Sequence, residues 1–282
     1  MKKIVTSLAV ALAATSAFAG GLLTTTSQNA HYLRFFSQDA DINLTSLYAN
    51  PAGQAFLNKG WHISASAMTA MQSRDIQTTF PLYSFNAGNS NATHKFEGDA
   101  FAPVIPSFDV AYVQDKWSVS ARFGVVAGGG TCEFENGLGS LEAVASNMLM
   151  QGALGMGIPA NMFSYKLDSY LKGKQNYFGL QIGGTYKILD NLSAYVGVRG
   201  IYATCGYVGG IENMRYSVDG GQNYNSLPAP FPSNIALDCQ QSGFGVTPII
   251  GIHYRPIKGL ELAAKYEFQT KISLKNTTTP ES

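Results

Sequence analysis

Along most of the chain, apolar and polar positions alternate residue by residue. In 117–127, Trp117, Val119, Ala121, Phe123, Val125 and Ala127 share one parity, and Ser118, Ser120, Arg122 and Gly124 the other. In 178–188, Phe178, Leu180, Ile182, Tyr186 and Ile188 oppose Gln181, Thr185 and Lys187. In 260–272, Leu260, Leu262, Tyr266 and Phe268 oppose Glu261, Lys265, Glu267 and Lys271. Segments 61–71, 106–114, 192–204 and 243–255 follow the same rule less strictly. Successive side chains of a strand point to opposite faces, so the pattern predicts strands with one apolar and one polar face. The runs last about nine to thirteen residues. Soluble strands average roughly 5–6, whereas a tilted strand needs about 9–11 to cross a bilayer.

The connections between these strands also alternate. Gln114-Asp115-Lys116, Leu189-Asp190-Asn191 and Pro256-Ile257-Lys258-Gly259 read as tight turns, while long connections fall at 72–105, 129–175 and 206–242. Short turns at one end and long loops at the other predict an all-β fold, an antiparallel transmembrane β-barrel of outer-membrane type. Arg122, Lys187, Arg199, Glu261, Lys265, Glu267 and Lys271 all take the non-apolar parity. That placement spares the ~2–4 kcal/mol that Arg or Lys costs on a lipid-facing midplane position. Trp61 and Trp117 begin strands beside the tight turns, the interfacial level that amphipathic aromatics favour. The alternative is a secreted β-sandwich, which also alternates. It accounts less well for strand length and loop asymmetry.

Composition sharpens the picture. Only 13% of the residues are charged and mean hydropathy is zero, against about 25% charged in an ordinary soluble domain. No window after the N-terminus has the ~18 consecutive apolar residues of a membrane helix, which excludes a polytopic helical protein. A net charge of +1 gives nucleic acid no foothold. With 16 Phe, 15 Tyr and 2 Trp the chain is no disordered segment. Lys2 and Lys3, an apolar stretch Ile4 to Ala14, and Ala17-Phe18-Ala19 form a secretory signal peptide over 1–19, with cleavage after Ala19. Export to the cell outer membrane of a Gram-negative bacterium follows. Residues 20–58 are polar and irregular, 59–275 carry the strands, and 276–282 form a polar tail.

At this point the chain resembles a known family, the outer-membrane long-chain fatty acid and hydrocarbon transporters (the FadL family). Tyr48-Ala49-Asn50-Pro51-Ala52-Gly53, leading through Leu57 to the strand at Trp61, is similar to the family's Asn-Pro-Ala signature. Tyr177 to Tyr207 resembles its fourth and fifth strands, and Gly243 to Leu274 its sixth and seventh. The resemblance implies a barrel whose lumen is plugged by the N-terminal segment, here 20–58. It also implies extracellular loops forming a hydrophobic capture groove and an inward kink of the third strand that opens the wall sideways. Family members have fourteen strands. The seven seen here, and a tail without a terminal aromatic strand, read as a truncated product or fragment, a partial barrel whose edge partner is unknown.

Several residues are candidates for function. In the loop 129–175, Leu138, Leu141, Val144, Ala145, Met148 and Leu149 recur at helical spacing, followed by Met150, Leu154, Met156, Met162 and Phe163. This Met- and Leu-rich run suits an adaptable greasy surface. It suits equally a helix packed across the barrel mouth. Gly124, Gly128, Gly129 and Gly130 mark either a strand bend that opens the wall or a flexible exit into the loop. Asn50, Pro51 and Ala52 are either a gate or a rigid turn anchoring the plug. A ligand carboxylate has Arg122 or Arg199 to meet, unless these only balance Asp109, Glu261 or Glu267. Cys205 and Cys239 are the first choice for a disulfide, with Cys132 left over; three free thiols is the alternative. His31, His62, His94 and His253 are dispersed without metal-ligand spacing, no nucleophile-elbow motif occurs, and no cofactor is implied. The expected ligands are hydrophobic small molecules, fatty acids or similar, with membrane lipid around the barrel. A passive general-diffusion barrel, and transport of aromatic hydrocarbons or haem, are the alternatives.

Overall fold

The long strands that carry the alternation are β1 (Gly60–Thr79), β2 (Thr93–Val113), β3 (Trp117–Phe134), β4 (Ser164–Leu189), β5 (Leu192–Ser217), β7 (Ile235–Ile257) and β8 (Leu260–Glu267). They hydrogen-bond in the order β1-β2-β3-β4-β5-β7-β8, every pair antiparallel, as one curled half-barrel sheet. Two short strands sit off this path: β6 (Asn225–Ser226) beside β5 and β9 (Lys275–Thr278) beside β7. A computed structural model supplies these coordinates and describes residues 27–35, 37–227 and 233–278. Residues 1–19, expected to be a signal peptide, lie outside the described residues.

The two faces of the sheet are inverted relative to a water-soluble protein. Trp61, Ile63, Leu180, Ile182, Val196, Phe244 and Ile252 stand outward and exposed. Ser107, Asp109, Ser118, Arg122, Gln181, Ser193, Arg199 and His253 point inside the curl and are buried. Soluble domains scatter exposed apolar side chains singly, whereas here they form a continuous outer band. Trp61, Tyr112 and Trp117 cluster on that band beside the tight turns, with ring centroids 4.9 and 5.9 Å apart.

The strands are far longer than the sequence pattern suggests, reaching 26 residues in β4 and β5. Most of the supposed loops at 72–105 and 206–242 is strand. The alternation is interrupted there by bulges that put an extra residue into β2 between Ala102 and Ile105 and into β5 between Glu212 and Arg215, each flipping the parity. Two further corrections fall at the C-terminal end. The last long strand stops at Glu267 rather than 272, and Lys275–Thr278, most of it within the supposed tail, pairs with β7. In between, 268–274 leaves the sheet and crosses the inner face of β7. Gly243 and Gly245 give it room there: a Cβ on either would come within 2.6 Å of Ser273 or Ile272.

The N-terminal segment lies on the inner face as a short helix α1 (Ala30–Arg34) and two 3-10 turns, Leu44–Leu47 and Pro51–Phe56. Leu44 and Leu47 pack on Ala111 and Val113, and Ala52 on Tyr195 and Ile249. Tyr195 lies flat across Gly183 and Gly197, where a side chain would occupy the space of its ring. Gly183→Ala or Gly197→Ala should therefore destabilise the fold by about 1–3 kcal/mol through overpacking. Urea unfolding followed by Trp fluorescence checks this, and Gly206→Ala, which meets nothing, is the control.

Candidate functional site

Three asparagines shape the N-terminal segment. Asn29, Asn43 and Asn50 each have extended backbone and accept a hydrogen bond from the amide two residues on, starting the next turn. Asn50-Pro51-Ala52 is buried and tied to the wall. Asn50 Nδ2 donates to the Ile252 carbonyl at 2.9 Å. Wall side chains reach the segment's own carbonyls: Gln181 to Leu47, Lys265 to Tyr48, Thr185 to Pro51 and Ser193 to Ala52, at 2.7–3.1 Å. These contacts come from β4, β5, β7 and β8, so the tripeptide is an anchored turn in this state.

Arg122, Arg199 and Lys265 on the inner face are ion-paired. Arg122 donates to Asp109 at 2.8 Å and to the Ser27 hydroxyl, and Asn29 also donates to Asp109. Arg199 holds both oxygens of Glu267 at 3.0 and 2.9 Å and places two N–H groups on Gln181 Oε1. Lys265 joins Glu267 at 2.7 Å. All three cations also face the ring of Tyr48, at 5.0, 4.8 and 5.4 Å from its centroid. Tyr48 is thus the point where β3, β5 and β8 converge on the N-terminal segment. Sequence reading quoted it inside a motif without giving it this part.

Beside Tyr48 lies a cavity of about 400 Å³, within the ~300–1,000 Å³ range of small-molecule sites. One side is apolar, with Val126, Ala127, Tyr177, Ile201, Phe268 and Ile272; the other carries Arg199, Lys265, Glu267, Thr247 and Thr270. Arg199 uses four of its five N–H donors, on Glu267 and Gln181. Lys265 uses two of three, on Glu267 and Tyr48.

The cavity adjoins a break in the wall. β2 and β3 pair at Phe101–Thr131 and again at Ser107–Gly124, and between these points Ala102–Pro106 and Val125–Gly130 exchange no ladder bonds. Pro103 and Pro106 lack an N–H to offer. Gly128 and Gly130 have φ of +114° and +68°, which their side-chain-free backbone permits. Gly124, Gly128, Gly129 and Gly130 thus lie inside a bent, bulged strand, not in an exit to a loop.

Above the cavity the predicted helix is present as α2 (Gly139–Gly155). Leu141, Leu149 and Met150, with Phe163 beyond it, are buried against Tyr165, Ile211 and Met214. Leu138, Val144 and Met148 are half-buried. Leu154, Met156 and Met162 remain exposed. The helix is docked by a buried carboxylate that sequence reading missed. Glu142 accepts from Asn86 at 2.7 Å and Tyr165 at 3.1 Å, and lies 2.8 Å from His94 Nδ1. His94 Nε2 donates to the Asn89 carbonyl, and Tyr83 stacks on the imidazole while bonding the Gly139 carbonyl. Burial, and then the nearby Glu142 charge, push the Tyr83 phenol well above its ordinary value, so it stays a neutral donor. An acid inside an apolar helix was the available signal, but its partners lie 56, 48 and 23 residues away in sequence.

Two other expectations need comment. The Cys205–Cys239 disulfide is absent, and Cys132, Cys205 and Cys239 are free thiols. Cys205 pairs with Gln241 and Cys239 with Tyr207. The two are therefore diagonal neighbours, whose Cβ atoms sit near 7 Å, not the ~4 Å a disulfide requires. A Ser-His-carboxylate juxtaposition does occur: Ser193 lies across from His253, which contacts Glu261 at 2.7 Å. It is sealed beneath the N-terminal segment, with the Ser193 proton committed to the Ala52 carbonyl. No family model, curated protein or solved structure matches this chain.

Glu142→Ala removes the acceptor for Tyr165 and Asn86 and the contact with buried His94. It should loosen α2 by about 3 kcal/mol, the scale of a broken buried pair. Hydrogen exchange over 139–155 should accelerate by two orders of magnitude, roughly the same energy, while that of β4–β5 near the tight turns stays unchanged.

Proposed function

We propose that this chain is an outer-membrane transporter of hydrophobic molecules, of the kind its sequence resembles. Export by the N-terminal signal brings it to the membrane, the apolar outer band contacts lipid, and the N-terminal segment plugs the interior. The carrying observation is the amphipathic cavity placed directly against the parted stretch of β2 and β3. A molecule inside has lipid beside it through the wall, with an anchored turn closing the way below. The inverted faces support the membrane setting, because a continuous exposed apolar band is costly in water at roughly 25 cal/mol per Å².

The chain's residues divide the task. Leu154, Met156 and Met162 form the exposed apolar surface at the mouth on which a ligand first settles. Partition supplies about 0.8 kcal/mol per buried methylene, and no energy source is needed for downhill passage. Long-chain fatty acids fit through Lys265, whose third N–H meets a carboxylate while the chain lies along Tyr177, Ile201 and Phe268. The pairing of the Arg199 charge with Glu267 favours a second reading, an uncharged ligand such as an aromatic hydrocarbon, which needs no counter-ion.

Proteoliposome uptake separates these possibilities. Met156→Arg with Met162→Arg should lower oleate uptake several-fold without changing folding; uptake equal to wild type would rule out this capture surface. Lys265→Met should weaken oleate retention about tenfold, the value of one charge-assisted bond, and leave toluene retention unchanged. Equal loss for both ligands would rule out Lys265 as the counter-ion. A general-diffusion pore would instead show steady ion conductance in planar bilayers.

A further inference from the structure

Val126 and Ala127 of the parted stretch of β3 both line the cavity, and Val126 carries the larger side chain. We propose that Val126 is a specificity gate, seated in a recess left open by Gly179, which sets the width of molecule that leaves the cavity sideways. This rests on the transport reading above and adds the residue that selects.

Val126 is the extra residue of a bulge. Val125 pairs with Phe178 and Ala127 with Tyr177, so Val126 has no partner on β4. On its other side β2 offers no ladder bond over the same stretch. Strand parity puts Val125 opposite outward-facing Phe178, so Val126 turns to the inner face like Arg122 and Gly124 before it, and the bulge then brings Ala127, opposite Tyr177, to the same face. There it is 8% exposed and lines the cavity. A Cβ on Gly179 would lie 2.5 Å from Val126 Cγ1 and 3.3 Å from both Val126 Cγ2 and Arg199 Cδ. The isopropyl group therefore fills the notch that glycine leaves, backed by the Arg199 stem. A β-branched side chain has few rotamers, so it acts as a stopper of defined width. Its backbone is tied to β4 only beside the bulge, so it can yield to a narrow ligand without breaking a β2 ladder.

The test uses the full chain in proteoliposomes with two neutral probes, a straight-chain alkane and the wide polycycle pyrene. Gel mobility before and after boiling scores folding. Val126→Ala should raise pyrene uptake relative to the alkane, and Val126→Phe should lower both by about tenfold, the scale of one overpacked side chain. Gly179→Ala should displace Val126 and change the pyrene-to-alkane ratio. In a Val126→Ala background the same Gly179→Ala change has no Cγ to strike, so the ratio should stay at the Val126→Ala value, a non-additivity expected only of residues in contact. Wild-type uptake with an unchanged ratio in Val126→Ala and Gly179→Ala overturns the gate while leaving transport standing. Absence of uptake by folded wild-type protein overturns both.

Discussion

The organising constraint is that the apolar band near the tight turns offers no polar partner outside, so charges of the strands at that level, such as Asp109, Arg122, Arg199, Lys265 and Glu267, go inside and pair there. Arg122 and Asp109 illustrate the demand. Their side chains are 3% and 0% exposed, and a buried pair holds only when its remaining donors and acceptors are met. Strands alone do not meet them. Ser27 and Asn29 extend the first pair, leaving Arg122 Nε as its one unmet donor, and the Tyr48 carbonyl and ring join the cluster of Arg199, Lys265 and Glu267. The dependence is mutual, since the turns of the N-terminal segment have carbonyls that no helix satisfies, and wall side chains supply the missing donors.

This mutual need explains which parts of the structure could be read from sequence. Near the tight turns one face is uniformly apolar and the other polar, so period two is clean and the seven strands were visible. In the outer halves the inner face turns apolar beneath α2, with Tyr165, Leu171, Ile211 and Met214, and bulges shift the parity. Neither face then keeps a constant chemistry, and strand looks like loop. Helical spacing located α2 within a few residues. It could not separate Leu141 and Leu149, which face the wall, from Leu154 and Met156, which do not, because that depends on where the helix docks. The docking is fixed by Glu142 with Asn86, His94 and Tyr165, a set joined only by the fold. Likewise the glycines around 124–130 announced an irregularity, but its nature depended on the prolines of the neighbouring strand.

The bulged stretch of β3 also shows how one local departure serves several ends. Two extra residues, Val126 and Gly129, lengthen β3 against β4. The excess coincides with the loss of the ladder to β2 and brings Val126 and Ala127 to the cavity. A regular strand would keep all its ladder bonds and leave no route between interior and surroundings. On the proposed reading, function is carried by backbone bonds that are not made.

The length of β4 and β5 has a further consequence. Twenty-six residues at ~3.3 Å each and a tilt near 40° reach about 65 Å along the barrel axis, while an apolar band is only about 25 Å tall. On the proposed placement, well over half of the hairpin stands clear of the hydrocarbon. The wall is then a chimney. It lifts the greasy patch around Leu154, Met156 and Met162 beyond the hydrated layer that repels oily molecules, and gives them a sheltered shaft down past it. The resistance overcome is that of the polar coat above the bilayer, because the bilayer interior itself already welcomes such molecules.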